Sequence, residues 1–207
     1  MPMHASIRAI VITLICFVLS ASHLSAQLPM PAARGRTLDT SLGYSYLSRS
    51  DSYSNRVGLS GADASLTIAA YPRLAVRVDL GYARASNIGG SARHSDVLSY
   101  LAGPVFYPIA HGHVMTYVHG LAGAARVTGP ILRNSGGYVD GAWVNKFAWA
   151  VGGGVEYWVS DSVAVRAGTD YLRTSYFESS SVIAGQNNVR TTIALVYFFG
   201  KHSRTGR

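Results

Sequence analysis

The sequence predicts an all-β chain closed into an eight-stranded, antiparallel, up-and-down transmembrane β-barrel, and three observations carry that prediction. The first is a strict two-residue alternation. Leu74, Val76, Val78, Leu80 and Tyr82 interleave with Ala75, Arg77, Asp79, Gly81 and Ala83, and the pattern returns from Val163 to Leu172 and from Asn188 to Phe199. Successive strand side chains point to opposite faces, so each segment has one apolar face and one that carries charge. The second is the spacing of the segments, whose connections run long, short, long, short, long, short, long. The third is composition: 48% hydrophobic and only 14% charged residues, yet no apolar run of the roughly 18 residues that a spanning helix needs. Alternating runs of about ten residues separated by turns are how a membrane barrel is written in sequence.

The chain opens on a continuous apolar stretch, Ala9 to Leu19, behind His4 and Arg8 and ahead of the small residues Ser25 and Ala26. The stretch is too short for a membrane anchor, so residues 1–26 read as a secretory signal cleaved after Ala26. Cys16, the one cysteine, lies within it, and Leu14 and Ile15 before it lack the small residue that precedes a lipoprotein cysteine. The mature chain is then expected to leave the cytoplasm without a disulfide. Residues 27–36 form a short lead, 37–200 the barrel and 201–207 a basic tail.

The first strand is expected from about Leu38 to Ser48, with Leu42, Tyr44 and Tyr46 on one face. A polar stretch, Arg49 to Ser60, separates it from the second, Ala62 to Tyr71. Pro72 and Arg73 make a tight turn into the third, which starts at Leu74. Arg84 to Ser95 precede the fourth, Asp96 to Tyr107, whose Leu98, Tyr100, Ala102, Pro104 and Phe106 are assigned outward. Pro108 to Gly112 lead to the fifth, His113 to Val127, and Thr128 to Trp143 to the sixth, Asn145 to Val159. Ser160 to Ser162 turn into the seventh, and Thr174 to Gln186 lead to the eighth, which closes on Phe199. Gly120, Gly123 and Gly152 to Gly154 blur the alternation of the fifth and sixth strands and suit a tightly curled wall. Short turns on the periplasmic side and long loops outside explain the rhythm of connections, with both barrel ends periplasmic in the cell outer membrane.

Charge decides which face is outside. A soluble barrel would use the same alternation with an apolar interior. Here Arg77, Asp79, Arg166, Asp170 and Arg190 share a face with small residues, opposite an unbroken apolar face, and the interior of an eight-stranded barrel has room only for side chains. Buried charges persist when paired. Reflection about the turn near Asp161 sets Glu156 beside Arg166, Asp170 and Arg190 fall at matching heights, and Arg77 and Asp79 lie two residues apart on one face. With Asp39 and Asp63, three arginines face five acids, read as a structural plug; a proton or ion pathway is the rival reading. Aromatic residues sort to two ends: Tyr71, Phe106, Tyr107, Tyr157, Trp158, Tyr197 and Phe199 near the turns, and Tyr44, Tyr46, Tyr82 and Tyr171 near the loops. Two such belts suit the two membrane interfaces.

These features resemble the OmpA/OmpX-type outer-membrane β-barrel superfamily, in particular its small stand-alone members, over about Thr37 to Gly200. Gly103-Pro104, Gly152-Gly153-Gly154 with Glu156, Asp170-Tyr171 and the closing Asn188-Val189-Arg190 through Phe199-Gly200 carry the resemblance. It implies that Ile193, Leu195, Tyr197 and Phe199 form the insertion signal read by the barrel-assembly machinery, which periplasmic chaperones serve. The departure is the basic tail beyond that signal. No peptidoglycan-binding domain follows, so anchoring to the cell wall is not implied.

Other functions are weighed against the same residues. Formal net charge is +8, and all of the 18 basic residues except Lys146 and Lys201 are arginine, but they are scattered rather than gathered into the patch a nucleic acid needs. Arg49, Arg56, Arg84, Arg93, Arg133 and Arg173 fall in or beside long loops, where anionic headgroups or solvent can meet them. Eight-stranded lipid A deacylases need His two residues before Ser on one strand face. His111, His113 and His119 are followed at that distance by His113, Met115 and Leu121, so they read as turn-exposed histidines. His94-Ser95-Asp96 has suitable residue types on opposite faces, and His111 with His113 lacks a third metal ligand. No enzyme, cofactor or metal is expected. The expected partners are outer-membrane lipid, lipopolysaccharide and the assembly factors, for a monomeric barrel. Three functions follow: a structural or surface-binding envelope protein with a plugged lumen, a narrow channel for small solutes, or a lipid A-modifying enzyme, which the missing motif disfavours.

Overall fold

The structure, a computed structural model, describes residues 38–50, 56–86, 94–128, 131–132, 138–139, 144–174 and 186–199. The signal segment, the lead, the tail, Arg93 and Arg133 lie outside the described residues. Eight long strands build the molecule: β1 (Leu38–Ser50), β2 (Arg56–Tyr71), β3 (Leu74–Ala85), β4 (Ser95–Phe106), β5 (Val114–Thr128), β6 (Val144–Trp158), β7 (Val163–Thr174) and β8 (Gln186–Phe199). Each pairs antiparallel with its sequence neighbours. Pairing of β8 with β1, from Leu38↔Phe199 to Ser48↔Val189, closes the sheet into a barrel. No edge is left open among these strands, so their backbone donors and acceptors are satisfied within the wall.

Registers fix the stagger. A circuit leaving Leu38 passes Ile68, Val76 and Pro104, crosses at the level of Gly120 between the Ala102↔Ala122 and Val105↔His119 pairs, continues through Val151, Tyr171 and Val189, and returns to β1 at Ser48. That displacement sets the strand tilt and keeps the bore narrow. The turns are built from local chemistry. Pro72 and Arg73 join β2 to β3 across a register shift between Ala69 and Tyr71. Gly112, at φ 57°, takes the left-handed conformation that lets Ala110 and His111 fold back on Val114 and Met115 before β5. Val159 and Ser160 both donate backbone hydrogen bonds to Val163, at 3.0 and 3.1 Å, closing the β6–β7 turn.

The loop ends of β1 and β2 run further than the hydrophobic pattern foretells: Arg49↔Val57 and Ser50↔Arg56 still pair. The ladder needs only backbone groups, so strands continue past the apolar band with polar side chains, and alternation cannot mark where they stop.

The two faces of the wall differ throughout. Outside, Leu42, Leu66, Ile68, Val78, Leu80, Ile193 and Leu195 are exposed, Leu42 by 68%. Inside, Arg77, Arg166, Arg190, Asp39, Asp63, Asp79, Asp170 and Glu156 are all buried, with Glu156 at 0%. On β4, Tyr100, Ala102, Pro104 and Phe106 point outward, while Val97, Leu101 and Val105 fill the interior. On β5 and β6, whose faces the sequence leaves open, Met115, Tyr117, His119 and Leu121 point in, as do Ala148, Ala150, Glu156 and Trp158.

Candidate functional site: a sealed lumen and a polar rim

The lumen is stacked in three layers. At the loop end, Leu47, Leu59, Val97, Leu101, Leu121 and Leu172 meet in one apolar cluster with alanines between them. At the turn end, Val105, Tyr107, Met115, Tyr117, Trp158 and Phe198 form another. The charged residues occupy the layer between. Small residues make the space: a Cβ at Gly81 would press on Ser99 Oγ and Arg190 Nη1, and one at Gly168 on the Tyr117 hydroxyl.

Arg190 is the hub of the charged layer. Its Nη1 donates to Asp79 Oδ1 at 2.7 Å and to Asp63 Oδ2 at 3.0 Å, while Nη2 and Nε donate to Asp170 Oδ2 at 2.6 and 3.0 Å. Arg166 donates from Nε to Glu156 Oε1 at 2.7 Å, from Nη2 to Asp39 at 3.2 Å, and from Nη1 to the Ser41 and Ser65 hydroxyls. Buried arginine–carboxylate contacts of this kind offset much of the desolvation cost of the charges.

Arg77 does not pair with Asp79, whose Oδ1 is held by Arg190. Two residues along a strand put both groups on one face, but the carboxylate turns across the bore to the arginine of β8. Arg77 instead donates from Nε to Thr67 Oγ1 at 3.2 Å, lies 3.9 Å from Glu156 Oε1 and sits 4.9 Å above the Tyr117 ring. Its Nη1 lies 3.3 Å from His119 Nδ1. A guanidinium only donates, so Nδ1 accepts, and Nε2 carries the proton given to Asp170 Oδ1 at 2.9 Å. His119 thereby links the two halves of the layer.

That placement corrects the reading of His119 as turn-exposed: it is buried, whereas His111 and His113 are exposed. It shares the inward parity of Met115, Tyr117 and Leu121, a signal that the glycines of β5 mask. Tyr117, Ser41, Ser65 and Thr67 also serve the charged layer and carry no charge that would reveal them in sequence. The open space amid the layer is about 20 Å³, bordered by Asp63, Asp79, His119 and Arg190. That holds a water or two and no solute.

The outer belts are equally specific. Tyr44, Tyr46, Tyr71, Tyr82, Phe106, Tyr157 and Tyr171 are exposed on the outside, as are Ile193, Leu195, Tyr197 and Phe199 in one row along β8. Trp158 is not among them. It is buried against Phe198, ring centroids 4.1 Å apart, and Tyr107 is buried too. Neighbouring strand residues cannot share a face: Trp158 follows Glu156 by two, so it points inward while Tyr157 points out.

At the loop end four outward tyrosines tether their hydroxyls to polar groups on another strand. Tyr44 donates to Ser60 at 2.9 Å, Tyr82 to Asp96 at 2.8 Å, Tyr100 to Asn145 at 2.7 Å and Tyr171 to Asn187 at 2.6 Å. Every acceptor lies closer to the loops than its tyrosine's ring. Together they mark a boundary between an apolar band below and a polar rim above.

Neither motif weighed for catalysis assembles. Ser95 faces the lumen, accepting from Arg49 Nη1 at 3.0 Å and donating to the Thr128 carbonyl at 2.9 Å, while His94 lies 3.8 Å from Asp96. Among the described residues no group of three metal-ligating side chains converges.

No protein-family model matches the chain, and no curated protein aligns with it significantly. Solved structures do. Neisserial surface protein A superimposes with a TM-score of 0.59 at 16% identity, covering 78% of this chain and 97% of its own. Ail, the attachment invasion locus protein of Yersinia pestis, solved in complex with the heparin analogue sucrose octasulfate, gives 0.55 at 16% identity over 80% and 99%. The outer membrane protein OprG from Pseudomonas aeruginosa gives 0.55 at 11% identity over 84% and 100%. The chain has the fold of the eight-stranded outer-membrane β-barrels.

Proposed function

We propose that this protein spans the outer membrane as a sealed, monomeric barrel and acts through its outer surface, as a structural or surface-binding component of the envelope. The short turns then face the periplasm and the long loops the exterior, with residues 1–26 serving as the export signal. The outward row Ile193, Leu195, Tyr197 and Phe199 is what the barrel-assembly machinery reads. One observation supports a sealed barrel above the rest: the charged layer lies between two apolar layers, with room in it for no solute. A narrow channel would need a continuous wet path, and a lipid-modifying enzyme would need a nucleophile beside a base. Among the described residues neither is in place, which supports reading the protein as a sealed, non-enzymatic barrel.

What the loops bind is anionic in this reading. Among the described residues Arg56, Arg84, Arg126 and Arg173 point outward at the loop ends of their strands. A structural neighbour, Ail, was solved with a sulfated heparin analogue. Electrophoresis and single-channel recording test the proposal together. Unboiled detergent-purified protein is expected to migrate differently from boiled protein, and reconstituted protein to show no steady ionic conductance. Sustained open-channel current from the folded protein overturns the sealed reading, and identical gel bands overturn the membrane barrel.

A further inference from the structure

The turn end of the lumen holds a void of about 50 Å³, larger than the one amid the charges. Its floor is buried and includes Asp39, Thr67, Ala75, Met115 and Phe198, while Ala69, Tyr71 and Pro72 form an exposed rim. That is room for three or four waters, about the bulk of one methionine side chain. The two polar groups of the floor are already engaged. Asp39 accepts from Arg166 Nη2 at 3.2 Å, and Thr67 Oγ1 accepts from Arg77 Nε at 3.2 Å. Ordered water therefore finds few partners in this void, and an apolar group suits it better.

The wall is notched beside it. Pairing of β1 with β2 begins at Leu38↔Ile68, yet β2 runs on to Tyr71, so Ala69, Ala70 and Tyr71 have no β1 partner among the described residues. Leu38 lines the void, and the lead, residues 27–36, precedes it closely in the chain. Met30 stands eight residues before Leu38, up to about 26 Å of extended chain, and so short a tether holds a segment near its site at roughly millimolar effective concentration. Leu28 and Met30 are the large apolar residues of the lead, and Gly35 permits a reversal close to the strand. Pro29 and Pro31 lack the donors that a ladder needs, which leaves this stretch unsuited to lengthening the wall. The tail, Lys201 to Arg207, leaves the same seam after Phe199 but has no large apolar side chain.

We propose that the void is a docking site for the protein's own lead, which folds back to the turn end and seats Met30 between Met115 and the Phe198 ring. An unbranched, flexible side chain suits an irregular recess, and a thioether packs well beside an aromatic ring. The inference concerns the turn end alone and holds whichever compartment that end faces. Its consequence is that the Asp39–Arg166 pair is shielded from water on the turn side, as the cluster of Leu47, Leu59 and Leu101 shields the charged layer on the loop side.

The test uses the whole chain carried through export in a Cys16→Ser background, which leaves no other thiol. Variants are compared folded in neutral detergent, with unboiled gel mobility as the check of folding. Ala69→Cys puts a single thiol on the rim, and its labelling by a maleimide is timed. Adding Leu28→Asp and Met30→Asp is expected to speed that labelling about tenfold, by expelling the lead. A thiol at Asp161, in the β6–β7 turn, is expected to react at one rate with either lead. Disulfide formation gives the second measurement. The Met30→Cys/Ala69→Cys pair is expected to close about tenfold faster than Met30→Cys/Asp161→Cys or Ser203→Cys/Ala69→Cys. Equal labelling of the rim thiol with both leads overturns the proposal, as do equal rates for the two Met30 pairs. Fastest closure of the Ser203 pair also overturns it, and gives the void to the tail.

Discussion

The barrel has two unlike walls. Across β8, β1, β2 and β3 the bulk is outside, in Ile193, Leu195, Leu42, Leu66, Ile68, Val78 and Leu80, and the inside is small or polar, with Ser41, Gly43, Ser65, Ala75 and Gly81. Across the middle of β4 and β5 the order is reversed. Ala102, Pro104, Gly120, Ala122 and Ala124 face out, while Leu101, Val105, Met115, Tyr117 and Leu121 fill the lumen. The first wall supplies most of the charge of the bore, and the second turns large apolar side chains into it. The difference teaches that a narrow barrel can carry its bulk on either side of the wall: β4 and β5 turn it into the lumen, where Leu101 and Leu121 pack with Leu47 and Leu59, while β8 to β3 turn most of it outward.

Substitutions can break this comparison, and the largest effect belongs to the charged side. Arg190→Leu would leave Asp63, Asp79 and Asp170 without their common partner. It should cost about 3–5 kcal/mol, read from denaturant unfolding in lipid or detergent. A loss below about 1 kcal/mol would mean the layer is not organised around Arg190. Val78→Arg puts a charge in the middle of the apolar outer wall and should cost about 2–4 kcal/mol in a bilayer. Folding as efficient as wild type would show that this face does not meet lipid. The sharpest comparison is the smallest in size. Leu121→Ala, inside the second wall, should cost about 2–3 kcal/mol through the cavity it leaves. Leu80→Ala, outside the first wall, where lipid refills the space, should cost under about 1 kcal/mol. Equal losses would erase the distinction between the walls.

The same contrast explains what could be read before the structure. On the first wall polarity alternates, since bulky apolar residues face acids, arginines and serines, and β3, β7 and β8 announce their faces in plain sequence. On β5 both faces are apolar and only size alternates, Tyr117 against Gly120 or Leu121 against Ala122, so a polarity pattern goes silent there. His119 was lost in that silence. The pairs Glu156–Arg166 and Asp170–Arg190 follow from hairpin reflection because their strands are adjacent. The links from Arg190 to Asp63 and Asp79 cross the seam between the first and last strands or the bore itself, and only the three-dimensional closure brings them together. Trp158 departs for a simpler reason: it shares the parity of Glu156, so it turns inward although an aromatic residue near a turn suits the membrane interface.

Since Leu38 meets Phe199 across the seam, the beginning and the end of the wall are hydrogen-bonded neighbours. No intermediate length of chain can form a complete cylinder. A product stopped before its final strand would carry two raw sheet margins on a water-averse surface, the form most prone to stick to its own kind. Protection during transit, and one concerted finish after the last residue is made, are therefore written into the topology rather than left to any single side chain.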